Sequence, residues 1–351
     1  MDRIDLHIHS NYSDGKFSPK EIIDIAKQNN VKYISITDHD NIGGYSNELF
    51  DYANKNNITL IPGVEISTKT DKCGIHVLGY NFDLNNKELV NQLCKLRNAR
   101  HDYLHKMSNK LYELGYIVNI NELDKIDSIT KGHIANDVVN NKSNEKQLIK
   151  YFGHLPNKGE FIETIMNEGC PAYIKKESIT PKEASRLIKN AGGKVVLAHP
   201  VAYTYEDNLT NDDIEKIVKD MNPDGLEANY IYFRKCENRK INEIDKWKQF
   251  AKDNKLFETI GSDFHDFNNL SPKIGLINEK IIYNETFVNN IIDNLINKKI
   301  LSSFYLHLPS NIRFIIPLRR YIFINTEFFS IIIIVAIFMI FYLISRTWLC
   351  S

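Results

Sequence analysis

The sequence predicts an α/β fold on a parallel sheet, interrupted by a helical insertion. Three observations carry that reading. Short apolar strands alternate with amphipathic helices from residue 5 to 86. The same rhythm resumes over residues 181–300. Between them, residues 87–180 hold almost no strand signal and several helix-forming stretches. Strand and helix alternating through short connections is the signature of parallel α/β sheets.

The first strand is Asp5-Leu6-His7-Ile8-His9-Ser10. Side chains alternate faces along a strand, so His7 and His9 share one face while Leu6 and Ile8 point into a core. Imidazoles about 6–7 Å apart on one strand face can reach a single cation. Asp14, in the turn Ser13-Asp14-Gly15, offers an oxygen ligand close by. Two hydrogen-bonded core histidines would give the same local pattern, so the rest of the chain must decide.

Ser18 is a good N-cap and Pro19 suits the first helical position, which predicts a helix over 19–29. Ile22, Ile23, Ile25 and Ala26 form its buried side. A strand over 33–37 runs into Thr37-Asp38-His39-Asp40, and a helix covers 44–55. Strands follow at 58–61, at 64–67 with Glu65, and at 75–80 with His76. The insertion reads as helices over 86–114, 134–140, 145–152 and 160–167. A helix over 182–191 is then closed by Gly192-Gly193. The strand 195–198 ends in His199-Pro200, and the strand 257–261 ends in Ser262-Asp263-Phe264-His265. A strand at 225–228 and helices over 212–221, 241–254 and 284–298 complete the pattern.

The chain has 351 residues, with 44 basic and 44 acidic side chains. That balance gives no global basic field for duplex nucleic acid. The five scattered cysteines include no C-x-x-C, which argues for a reducing compartment and against a cysteine zinc site. The first five residues mix acids and bases, unlike a signal peptide. Beyond residue 300 the composition turns apolar. Residues 328–344 are at the short limit for a membrane-spanning helix. Basic residues cluster before that stretch, so the positive-inside rule would leave the folded part in the cytoplasm, anchored to the membrane.

The polar residues mark a site. His7, His9, His39, Glu65, His76, His199, Asp263 and His265 all fall at or near predicted strands or their ends, with Asp14 beside them. In a barrel of parallel strands those ends form one rim, where active sites sit. Nine nitrogen and oxygen ligands suit zinc, manganese or iron and are too many for one ion. Two or three ions bridged by Glu65 would be built for in-line attack on phosphorus.

Taken in order, D-L-H-I-H-S with Asp14, T-D-H-D at 37–40, P-G-V-E at 62–65, His76 before Leu78-Gly79, A-H-P at 198–200 and G-S-D-F-H at 261–265 resemble the PHP (polymerase and histidinol phosphatase) superfamily. The resemblance implies a distorted (β/α)7 TIM-like barrel over 1–86 and 181–300, capped by the insertion 87–180 and followed by the tail 301–351. It implies a trinuclear site, with manganese the expected metal. His7, His9, Glu65 and Asp263 would hold one ion, Glu65, His76 and His199 a second, and Asp14, His39 and His265 a third. Asp40 would orient that shell or transfer a proton. The insertion, with Lys131-Gly132-His133 and Gly169-Cys170-Pro171, together with Gly192-Gly193 before A-H-P, is similar to a branch that includes nucleoside 3′,5′-bisphosphate phosphatases able to trim short RNA from its 5′ end. Lys131 and His133 then become candidates for substrate binding. This chain departs from the branch in having Lys131 and Ala202 where arginines are usual. Lysine still holds phosphate as a point charge but lacks the bidentate fork.

The expected activity is metal-dependent hydrolysis of a phosphate ester of a small phosphorylated molecule, a nucleoside 3′,5′-bisphosphate or a short oligoribonucleotide. The rivals are a histidinol-phosphate phosphatase and a non-catalytic metal-binding module. His101 and His105, Arg97 and Arg100, Cys73 and the aromatic run Tyr230-Ile231-Tyr232-Phe233 read better as solvated faces or packing than as ligands.

Overall fold

We describe a computed structural model of the chain, covering residues 3–175, 178–234, 239–267, 272–277 and 283–296. The apolar stretch 328–344 lies outside the described residues. Among those residues, no helix is long and apolar enough to cross a membrane.

The first layer is β1 (Arg3–Ile8), α1 (Pro19–Gln28), β2 (Val31–Ile36), α2 (Asn47–Lys55) and β3 (Thr59–Leu60). Ser18 caps α1 as expected: its hydroxyl accepts from the Glu21 amide, and the Glu21 carboxylate accepts from the Ser18 amide at 2.8 Å. Strands β1, β2 and β3 pair in parallel order. The apolar faces of α1 and α2 cover them, with Ile22, Ile23, Ile34 and Ala53 buried between.

The second sheet contains β4 (Gly63–Lys69), β5 (Gly74–Tyr80), β6 (Lys194–Leu197), β7 (Gly225–Asn229) and β10 (Phe257–Ile260), in spatial order β10-β7-β6-β5-β4. Two expectations need correction here. The sheet is not wholly parallel: β5 runs antiparallel to both β4 and β6. Only four residues separate β4 from β5, a connection that makes a hairpin and is far too short for a crossover. The barrel is also not closed. Isolated bridges, His39 to Glu65 and Ile8 to Phe264, join the two sheets in place of a continuous ladder. Both bridges lie at the polar strand ends, so the seam and the candidate site coincide.

The insertion consists of α3 (Lys87–Glu113), α4 (Ile120–Leu123), α5 (Lys131–Asn140), α6 (Glu145–Phe152) and α7 (Lys158–Phe161), the last continuing into a π turn over Ile162–Met166. Residues between Tyr103 and Ala172 build a hydrophobic core of their own, centred on Leu104, Met107, Ile134, Leu148 and Phe161. The main core resumes with α8 (Pro181–Asn190), α9 (Pro200–Glu206), α10 (Asn211–Met221), α11 (Ile244–Asp253) and α12 (Glu285–Leu295). A short hairpin, β8 (Tyr232–Arg234) with β9 (Arg239–Ile241), follows β7. Its aromatic residues and α9 carried no strand or helix expectation.

Candidate active site

The strands and the turns that follow them bring all nine ligand-type side chains into one cluster, with Asp14, His76, Asp263 and His265 half-buried and the other five, Glu65 among them, buried. Glu65 itself is 1% exposed. Its Oε2 lies 3.4 Å from His7 Nε2, 3.2 Å from His9 Nε2 and 3.0 Å from His39 Nδ1. Its Oε1 lies 2.9 Å from His76 Nδ1 and 3.1 Å from His199 Nε2. Asp263 Oδ1 stands 3.1 Å from His9 Nε2 and 3.4 Å from His7 Nε2. On the other side, Asp14 Oδ1 is 3.2 Å from His265 Nε2 and 3.6 Å from His9 Nδ1, while Asp14 Oδ2 is 3.7 Å from His39 Nε2.

Three overlapping groups have ligand atoms close enough to share an ion: His7, His9 and Asp263; His39, Glu65 and His76; and His9, Asp14, His39 and His265. The grouping differs from the expected partition: His9 and His39 each stand in two groups, Glu65 stands only with His39 and His76, and His199 stands in none of the three.

The donor set fits divalent cations on its own chemistry. His39 Nδ1 and Glu65 Oε2 are buried and 3.0 Å apart, yet neither has a hydrogen-bond partner. Asp14 Oδ1 and His199 Nδ1 are likewise buried without one. His7 Nε2 and His9 Nε2 face each other at 3.2 Å, two nitrogens that cannot both donate. Burial pushes the Glu65 carboxyl up, but His76, His39 and His7 outweigh it and hold it well below the usual carboxylate range. Burial also works against ionised Asp263 and Asp14, and neighbouring histidines hold both low in the same way. Burial drives His39 down to about 3, so that ring stays neutral and ready to ligate. Burial pulls His9 down as well, yet Asp263 and Glu65 raise it to about 10. A field of carboxylates that strong attracts a divalent ion, which binds the neutral ring.

The backbone is strained where the site is made. Asp40, His199 and Asp263 have φ of 51°, 23° and 53°. Non-glycine residues in that region concentrate at functional sites, held there by surrounding structure.

A second set of residues supports the cluster, and most of it escaped the sequence reading. Glu227, on β7, accepts from His7 Nδ1 at 3.0 Å and from the His199 amide at 2.9 Å. It is 1% exposed. A glutamate inside the apolar run Gly225-Leu226-Glu227-Ala228 was the available signal, since a buried acid needs partners. Asp38 accepts from the Ser10 amide at 2.7 Å and the Ser13 hydroxyl at 2.6 Å, pinning the first turn. The Tyr203 hydroxyl accepts from the His76 amide at 2.8 Å, and the Tyr230 hydroxyl donates to Asp263 at 3.1 Å.

Asp40 and Arg100 form one fully buried pair. Arg100 Nε and Nη2 donate to Asp40 Oδ2 at 2.8 and 2.6 Å, and Nη2 donates to Ser67 at 2.7 Å. Nη1 donates to the Ile129 carbonyl at 3.1 Å. The other Asp40 oxygen accepts from the Ser67 amide at 2.8 Å. The solvated face expected for Arg100 is therefore a correction, because the side chain is 5% exposed. Helix period alone could not reveal a carboxylate sixty residues away. The insertion meets the cluster at three further points: Ser128 donates to the His39 carbonyl at 2.5 Å, Asn41 donates to Asp127 at 2.7 Å, and Arg97, also expected on a solvated face, donates through Nη1 to the Asp40 carbonyl at 2.9 Å.

His133 closes the start of α5, its Nδ1 accepting from the Thr130 amide at 3.1 Å, and burial lowers its pKa. Lys131 Nζ donates to Asn167 at 3.0 Å. His101 and His105 both meet Asp124, at 3.1 and 3.0 Å, on the outer surface of the insertion. Cys73 is in the main core, and burial pushes its thiol up to about 11.

Comparison with known proteins settles the family. A model described as "PHP domain" matches residues 5–197, more than half of the chain. The chain belongs to the PHP domain family. It is 29% identical over 266 residues to the 5′-3′ exoribonuclease of Haemophilus influenzae, covering 75% of this chain and 90% of that protein. It is 26% identical over 269 residues to the 3′,5′-nucleoside bisphosphate phosphatase of Chromobacterium violaceum, covering 76% and 88%. Among solved structures, it resembles an amidohydrolase from Chromobacterium violaceum with bound sulfate and no metal. That match has a TM-score of 0.67 at 22% identity and covers 84% of this chain and 97% of the other. A protein from Bifidobacterium adolescentis gives 0.64 at 20% identity over 84% and 97%. These two likenesses concern the fold. This PHP protein is a metal-dependent phosphoester hydrolase.

One glycine shows how tightly the PHP cluster is seated. A Cβ on Gly261 would stand 2.2 Å from the His7 Cβ and 2.4 Å from Glu227 Oε1. Gly261→Ala is expected to cost about 1–3 kcal/mol through overpacking. A thermal unfolding curve superimposable on wild type would contradict that seating.

Proposed function

We propose that this protein hydrolyses a nucleoside 3′,5′-bisphosphate, or the 5′ end of a short oligoribonucleotide, at a centre of two or three divalent ions. The observation that carries the reading is one cluster of nine nitrogen and oxygen ligands, with five histidines around Glu65 and the Arg100 latch placed against it from the insertion. The names of the curated relatives, an exoribonuclease and a bisphosphate phosphatase, support the nucleotide class. His7, His9, Asp14, His39, Glu65, His76, His199, Asp263 and His265 would hold the ions, with manganese the metal to try first. Bound divalent ions supply a water acidic enough to attack phosphorus at neutral pH and positive charge for the phosphate oxygens.

The chain's own residues do the rest. Glu227 holds the His7 ring through Nδ1, which leaves Nε2 pointing inward. Asp40 fixes the backbone beside His39 through Arg100 and Ser67, a positioning role. Lys131 binds a phosphate remote from the scissile bond, with His133 two residues on along the same helix.

The test is a phosphate-release panel with manganese, containing adenosine 3′,5′-bisphosphate, 5′-AMP, histidinol phosphate and a short 5′-phosphorylated RNA. The bisphosphate or the RNA is expected to give the highest kcat/KM. A preference for histidinol phosphate would overturn the substrate assignment. Lys131→Ala should raise KM for the preferred substrate more than it lowers kcat, because it removes binding common to ground and transition states. An unchanged KM would place Lys131 outside the site.

A further inference from the structure

One histidine pair stands apart from the ligand cluster. His101 and His105 are four residues apart on α3, so both rings leave the same face of the helix. A helix can offer two imidazoles to one zinc ion at that spacing. The sequence alone showed no third ligand, and the fold supplies it. Asp124, at the C-terminal end of α4, places its carboxylate against both rings. Its Oδ1 lies 3.1 Å from His101 Nδ1 and its Oδ2 lies 3.0 Å from His105 Nε2. Two ligands with bonds of about 2.0–2.1 Å to a tetrahedral zinc stand roughly 3.3–3.4 Å apart, close to both separations. The rings meet different oxygens of Asp124, so a shared ion needs one ring to turn. His105 is 52% exposed, and the terminal torsion of a histidine is broad.

His101 carries the sharper sign. Its Nε2 faces the Asp127 carbonyl at 3.4 Å while its Nδ1 faces Asp124. A neutral imidazole has one N–H for these two acceptors. With the proton on Nε2, the Nδ1 lone pair points at a carboxylate oxygen. A cation between them turns that repulsion into two bonds. A backbone carbonyl on the far nitrogen is the partner that orients a metal-bound histidine.

We propose that His101, His105 and Asp124 form a peripheral site for one zinc-class ion, with water completing its shell. Two imidazoles and one carboxylate favour zinc over manganese or magnesium, which prefer oxygen. The site closes the outer end of the segment 124–129, and the inner end of that segment touches the Glu65 cluster. Asp127 accepts from Asn41 and lies 3.6 Å from Arg97 Nε. Ser128 donates to the His39 carbonyl, and the Ile129 carbonyl accepts from Arg100. A bound ion therefore ties α3, α4 and this segment together, four residues from the contact with His39. Its role is structural, and it does not depend on the substrate reading above.

The experiment measures zinc bound per full-length chain by equilibrium dialysis in excess manganese, for wild type, His105→Lys and His105→Cys. Lysine keeps a cation beside Asp124 and offers no zinc ligand. Cysteine gives up the ion pair and offers a thiolate. Wild type and His105→Cys should each bind one zinc ion more than His105→Lys. Equal counts in wild type and His105→Lys would overturn the site, whatever the main cluster takes up, because its nine ligands are the same in both. Hydrogen exchange reads the second half of the proposal. On zinc addition, the amides over 124–129 should exchange about tenfold more slowly in wild type and at an unchanged rate in His105→Lys. Exchange that zinc leaves unaltered in wild type would overturn the tie between the ion and this segment. Neither readout uses turnover, so both stand if the phosphoester substrate proves different.

Discussion

Replacing Asp263 by asparagine is expected to lower kcat on the order of a thousandfold, since several kcal/mol of charge stabilisation depend on the ions it would hold. Its Oδ1 faces both His7 and His9, and its Oδ2 accepts from Tyr230. Asparagine is the sharper choice than alanine. The residue has φ of 53°, a conformation asparagine tolerates and alanine does not. The variant therefore keeps the turn while losing the charge. Metal analysis should show fewer ions per chain than wild type, and circular dichroism should show the same fold. Near-wild-type turnover in metal-replete Asp263→Asn would remove Asp263 from the centre.

Arg100→Met should be the most damaging substitution outside the ligand cluster. It leaves the Asp40 carboxylate, 0% exposed, buried without its guanidinium. Breaking one side of a buried ion pair costs about 3–5 kcal/mol, a large share of an ordinary stability of roughly 5–15 kcal/mol. In a chain of this size the melting temperature should fall by about 10 °C. The second substitution decides the cause. Asp40→Asn in the Arg100→Met background removes the unpaired charge and keeps the left-handed turn, so it should recover part of the loss. A double variant no more stable than Arg100→Met would show that the arginine acts through its packing alone.

Much of this molecule was legible because its chemistry sits at the ends of strands. Alternation placed His7 and His9 on one face, and Ser18-Pro19 announced a helix before any contact was known. The residues that hold the cluster were harder to see. Glu227 and Arg100 act through partners 220 and 60 residues away in the chain, and no local period encodes such a pairing. The strained φ of Asp40, His199 and Asp263 left no trace either, because these residue types adopt ordinary backbone far more often. The direction of β5 was misread for a related reason. Its apolar run looks alike in a parallel or an antiparallel sheet, and only the four-residue turn before it told them apart.

The two hydrophobic cores carry a consequence for the order of folding. The insertion's core is continuous in the chain, from Tyr103 to Ala172, whereas the main core is split on either side of it. Strand β5 must wait for β6, whose pairing partner Val196 is more than a hundred residues downstream of Leu78. Closing a loop of that length costs entropy before any contact repays it. A collapsed insertion shortens the effective loop and brings α8 back toward the sheet. On an emerging chain the helices would therefore condense first, with β5 left as an open edge until Lys194–Leu197 is made. The slow, aggregation-exposed step of synthesis is the pairing of β5 with β6, the ladder that sets His76 and His199 side by side.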